Sequence, residues 1–168
     1  MDTNSRNIVI TGFMGTGKST VAPLVAEQLG RTFIETDAEI VQRTGMSIPE
    51  IFAEQGEPAF RQMEHDLCVH LAEQRELVIA TGGGMLINES NRQLMLDSAL
   101  VICLIAPPDV IEQRLSGDNG RPLAGKWREL LQARQAAYSA IPHQIDTIDK
   151  TPEQIVQEVI TLWQSQSP

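Results

Sequence analysis

Basic residues are scarce in this chain: 13 lysines and arginines stand against 22 aspartates and glutamates, a formal net charge of −9. A nucleic-acid backbone needs a basic surface, so DNA and RNA are excluded as principal partners. The same acidity repels small anions at long range, and any anionic ligand has to be caught by local cations. Cysteine is scarcer, with only Cys68 and Cys103 in 168 residues. They lie far apart in apolar helical and strand contexts, which fits buried reduced thiols in a cytoplasmic protein. No apolar run approaches the length of a membrane span, no charged and apolar leader opens the chain, and no membrane partner is expected. His65, His70 and His143 lack metal-ligand spacing with cysteine or carboxylate, so no zinc is assigned. Neither an internal repeat nor a low-complexity tract is present. What is left, at this length and 42% apolar residues, is one compact domain with a full core.

Against that background one stretch stands out. Gly12-Phe13-Met14-Gly15-Thr16-Gly17-Lys18-Ser19 fits G-x-x-x-x-G-K-[ST], a phosphate-binding loop. Ile8-Val9-Ile10 before it reads as a buried strand, and Val21, Leu24, Val25, Ala26 and Leu29 after it form a helical stripe. In that setting the backbone N–H groups and the helix dipole make an anion site. Lys18 is expected to reach the β- and γ-phosphates, and Ser19 to ligate Mg²⁺. A chance glycine-rich turn with a surface lysine is the alternative, and the flanking strand and helix speak against it. The expected ligand is ATP or another nucleoside triphosphate, cradled by Gly12, Met14, Gly15, Thr16, Gly17, Lys18, Ser19 and Thr20.

Further strands are expected at Thr32–Glu35, Leu77–Ala80, Leu100–Ile105 and 143–147. Between them the spacing predicts helices over about 37–43, 47–56, 58–74, 89–97, 107–115 and 126–138, with a closing helix after Thr151. Gly117, Asp118, Asn119, Gly120 and Gly125 mark 116–125 as a mobile loop by composition. Alternating strands and helices imply an α/β fold, a parallel sheet covered on both faces, with ligands at the carboxyl ends of its strands.

If ligands sit at strand ends, three further features face the phosphate loop. Glu35-Thr36-Asp37 offers two carboxylates, suited to accepting a hydroxyl proton and to facing a metal ion, or equally to a helix N-terminus. Arg61 and Glu64 share a helical face, where an ordinary surface ion pair is the plain reading. Gly82-Gly83-Gly84 is costly in conformational entropy and points to close approach of a ligand to backbone, with a loose turn as the alternative.

Taken in order, Gly12–Ser19, Glu35-Thr36-Asp37, Phe60-Arg61-Gln62-Met63-Glu64, Gly82–Gly84, Arg121-Pro122 and Arg134 ahead of Tyr138 resemble the shikimate kinase family. The resemblance covers nearly the whole chain. It implies a three-layer α/β/α P-loop kinase fold with a five-stranded parallel sheet, as a single monomeric domain over 1–168. A lid would lie at about 116–125 and a substrate-binding helical region at about 37–64. The implied reaction is ATP-dependent phosphorylation of the shikimate 3-hydroxyl, with ATP and Mg²⁺ as cofactors. In it Lys18, Asp37 and Arg121 are catalytic. Asp37, Arg61, Gly82, Gly83, Gly84 and Arg134 bind shikimate. Arg114 and Lys150 flank adenine, Arg121 closes on the phosphates, and Ser19 and Glu35 serve the metal. The chain departs from the family pattern at Glu35, where aspartate is usual, at Ala124, at Lys150 and in a shorter connection from Arg121 to Arg134. A kinase of another polyol acid, such as gluconate, and a nucleotide-binding regulator without transfer are the alternatives.

Overall fold

Asn7–Gly12 forms β1, the middle strand of a five-stranded sheet in which every pairing is parallel. The computed structural model describes residues 5–116 and 126–166. After β1 come α1 (Lys18–Leu29), β2 (Thr32–Glu35), α2 (Thr36–Thr44), α3 (Ile48–Gln55) and α4 (Glu57–Ala72). Strand β3 (Leu77–Ala80) leads through a 3₁₀ turn (Met85–Ile87) to α5 (Glu89–Ser98) and β4 (Ala99–Ile105). Helices α6 (Pro108–Ser116) and α7 (Trp127–Ser139), strand β5 (His143–Asp146) and helix α8 (Pro152–Ser165) follow. The strand order is β2-β3-β1-β4-β5.

Strand periodicity decides the layers. Ile8 and Ile10 of β1 point to one face, where they pack with Val21 and Val25 of α1 and with Val156, Val159 and Trp163 of α8. Val9 points to the other, with Ile79, Val101 and Cys103, beneath Leu67 and Leu71 of α4, Met95 of α5 and Tyr138 of α7. The three-layer α/β/α fold expected from the sequence is therefore the fold observed. Both cysteines are buried and free, and burial pushes their thiols up, to about 12 for Cys68 and about 11 for Cys103.

Local signals place the helix ends. Ser47 and Glu50 form a reciprocal capping box at α3, and Thr151 and Gln154 form another at α8. Asn7, fully buried, donates to the carbonyls of Leu71 and Gln74 and accepts from the Leu77 amide, so one side chain fixes where α4 ends and β3 begins. The 3₁₀ turn after Gly84 is not anticipated by the sequence pattern. It closes through Met85 N donating to Gly82 O and Ile87 N donating to Gly84 O. Among the described residues no helix is long and apolar enough to cross a membrane.

Candidate active site

The loop between β1 and α1 is shaped by close packing at its start. Gly12 has φ 141° and lies against the Leu104 carbonyl of β4, where a side chain has no room. Thr16 turns inward, its Oγ1 donating to Phe13 O at 2.7 Å, so its hydroxyl braces the loop from within. Lys18 Nζ donates to the carbonyls of Gly12 and Phe13. A cavity of about 530 Å³ opens over this loop. Met14, Gly15, Gly17, Lys18, Ser19 and Thr20 line it from the loop, joined by Glu35, Asp37, Gly82, Gly83, Arg114 and Arg134 from other elements.

Beside it lies a second cavity of about 390 Å³, bordered by Arg61, Glu64, Gly84 and Arg134 among others. Among the described residues, Arg134 is the one that lines both. Arg61 Nη1 donates to Glu64 at 2.6 Å, with Glu64 only 2% exposed, and its Nη2 pairs with Glu57 at 3.4 Å. The plain surface pair is thus corrected: α4 packs this face inward, and Glu64 holds the guanidinium from below. Tyr138, one helical turn after Arg134 on α7, is buried and donates its hydroxyl to Gly83 O at 2.8 Å. Thr36, fully buried beside Asp37, accepts from the Gly82 amide at 2.9 Å.

Burial and charge set the titration of these groups. Burial lowers the Lys18 ammonium to about 8, against the upward pull of Cys103, Asp37 and Glu35. Asp37 is raised above the ordinary carboxylate range by burial, which outweighs the opposing charges of Lys18 and Arg61. Glu64 is raised for the same reason despite its bond to Arg61. Burial also lifts the Tyr138 phenol to about 12, so it stays a hydrogen-bond donor at neutral pH.

Other expected residues fall less directly into place. Arg114 donates to Gly15 O and Thr147 Oγ1 through Nη1, and to Thr147 O through Nη2, tying the phosphate loop to the chain after β5. Lys150 pairs with Glu158 of α8 at 3.0 Å and borders neither cavity. Arg121 lies outside the described residues. No cluster of three or more His, Cys, Asp or Glu side chains able to hold a metal occurs among the described residues. Ser19 and Glu35 nevertheless supply hard oxygen donors to one cavity, and Mg²⁺ characteristically takes one or two protein oxygens with phosphate and water.

The sequence pattern that defines shikimate kinases matches residues 14–164. This chain belongs to the shikimate kinase family. The shikimate kinase of Geobacter sulfurreducens is 44% identical over 164 residues, which covers 94% of this chain and 91% of that protein. The structure of shikimate kinase from Acinetobacter baumannii in complex with shikimate matches with a TM-score of 0.86 at 35% identity, over 96% of this chain and 94% of that chain. A gluconokinase from Sinorhizobium meliloti matches with a TM-score of 0.66 at 20% identity, over 97% of this chain and 94% of that one, and shares the fold alone.

For this member of the shikimate kinase family, sequence reasoning gave no role to Tyr138 or Thr36 and read Glu64 only as a surface partner of Arg61. Each carried a signal. Glu64 stands three residues after Arg61, Tyr138 four after Arg134, and Thr36 between two site carboxylates. What spacing withholds is which helix face turns inward.

Proposed function

We propose that this protein transfers the γ-phosphoryl group of ATP to the 3-hydroxyl of shikimate, giving shikimate 3-phosphate and ADP, as a cytoplasmic monomer. One observation carries the reading beyond the fold. A carboxylate, Asp37, and two guanidiniums, Arg61 and Arg134, converge on the Gly82–Gly84 turn at the edge of the cavity over the phosphate loop. That set suits an acceptor bearing both a carboxylate and a hydroxyl. Two guanidiniums clamp the carboxylate by forked hydrogen bonds, and Asp37 takes the hydroxyl proton as the oxygen attacks phosphorus. Lys18 leaves its loop carbonyls for the phosphates, and Arg114 and Arg121 add positive charge on the nucleotide side. Ser19 and Glu35 would hold Mg²⁺, which when bound neutralises phosphate charge. Catalysis is then largely orientation and electrostatics.

Measured ADP release over shikimate, quinate and gluconate tests the assignment. Shikimate alone is expected to drive rapid release. Preference for gluconate would favour the polyol-acid alternative, and nucleotide binding without release would favour a regulator.

Arg61→Lys is expected to raise KM for shikimate about tenfold to a hundredfold, the roughly 1.5–3 kcal/mol of a charged hydrogen bond, because lysine keeps the charge and loses the fork. KM for ATP should stay near the parent value. If the shikimate KM is unchanged, Arg61 serves Glu64 and Glu57 only.

The pH profile has two limbs of known sign. Lys18 must be protonated to attract phosphate, so kcat/KM for ATP should fall as pH rises through about 8. Bound phosphates favour the ammonium, so the basic limb of kcat should lie higher. Asp37 must be ionised to accept a proton, so activity should fall on acidification at a pH above the ordinary carboxylate range. Steady-state kinetics between pH 5 and 10, read against about 4 for a free aspartate, checks both limbs.

A further inference from the structure

The glycines at 82–84 have no positive φ to explain them, since none is among the residues with left-handed backbone. Their surroundings do explain them. A methyl group on Gly82 would sit 2.6 Å from Asp37 Oδ1, one on Gly83 2.9 Å from Arg134 Nη1, and one on Gly84 2.5 Å from Arg61 Nη1. Each glycine thus faces a different side chain of the site. We propose that the turn is a row of three slots, in which Gly82 seats Asp37, Gly83 seats Arg134 and Gly84 seats Arg61. The glycines are positioning residues, and their missing side chains set the relative placement of base and clamp.

A second set of bonds holds the row in register with the helices that carry its occupants. Thr36 of α2 accepts from Gly82 N beside Asp37. Tyr138 of α7 donates to Gly83 O one turn beyond Arg134. For α4, His65 Nδ1 bonds Asn91 Oδ1 at 2.7 Å, and Asn91 Nδ2 donates to Met85 O directly after Gly84. Every helix that delivers an occupant is therefore fastened to the turn by another of its residues, directly or through α5. In each slot the nearest atom is the free end of a side chain, not backbone. An added methyl displaces the functional group and spares the fold.

The kinetic test rests on the proposed function. Gly82→Ala should lower kcat by about a hundredfold, the scale of a misplacement near 1 Å, with smaller changes in KM. Gly83→Ala and Gly84→Ala should instead raise KM for shikimate about tenfold or more, with kcat near the parent value. KM for ATP should stay near the parent value in Gly84→Ala and shift in Gly83→Ala, because Arg134 borders both cavities. In an Arg61→Lys background Gly84→Ala should cost less than its single effect multiplied through. One shared kinetic profile for all three variants, full multiplicativity, or loss of the folded state would overturn the slots. A crystal structure of Gly84→Ala provides a readout independent of catalysis. It should show the turn in place and the Arg61 guanidinium moved, and the reverse pattern overturns the proposal. An inactive parent with displaced guanidinium in Gly84→Ala would fault the assigned reaction and leave the slots standing.

Discussion

Lys18→Ala will give a folded protein whose turnover is lower by about 10²–10³-fold or more, the cost of removing one preorganised donor from developing charge. Among the described residues the ammonium hydrogen-bonds the carbonyls of Gly12 and Phe13. The loop does not need it for shape, because Gly12 packs on Leu104 and Thr16 bonds Phe13 from inside. Linkage predicts the sign of the stability effect. The folded pKa is lowered from 10.5 to about 8, so between those values the unfolded chain binds the extra proton and stability rises with pH. Below about pH 8 the parent carries the whole cost of the buried charge. At pH 7 the variant should melt no lower than the parent, and calorimetry with an ADP-release assay reads both numbers. Full activity in a folded Lys18→Ala protein would remove phosphoryl transfer at this loop from consideration.

Asp37→Asn is expected to lower kcat by about 10²–10⁴-fold, the range spanned by a positioned general base. Asparagine keeps nearly the same shape against Gly82 and can still bond a hydroxyl, but it cannot take the proton. KM for shikimate should therefore change far less than kcat. The acid limb of the pH profile should vanish with the carboxylate, while the limb assigned to Lys18 remains. A kcat within several-fold of the parent would mean that the acceptor hydroxyl loses its proton elsewhere and that Asp37 only orients it.

Strands and caps were legible because their causes are local. Ile8-Val9-Ile10 and Leu77–Ala80 are apolar in succession, as strands buried on both faces must be, and Ser47 with Glu50 spells out its own helix start. The phosphate loop was legible for the same reason. The glycine turn was half legible. The sequence pointed to close approach of a ligand, whereas the groups that stand against the turn in the structure are Asp37, Arg61 and Arg134, brought there by three helices remote in sequence. Glu64 shows the limit from the other side. Helical spacing paired it with Arg61, yet only the packing of α4 against the turn and α5 buries the carboxylate of that pair.

Arg134 belongs to both cavities, and that has a thermodynamic corollary. A single guanidinium cannot be optimally oriented for two neighbours independently, so whichever ligand arrives first prepares or spoils it for the other. Under the proposed function, occupancy on the nucleotide side is therefore linked to affinity on the acceptor side. The factor by which ATP alters the dissociation constant of the acceptor must equal the factor by which the acceptor alters that of ATP. Random order of addition would leave this factor intact, and changing Arg134 would alter it for both ligands equally.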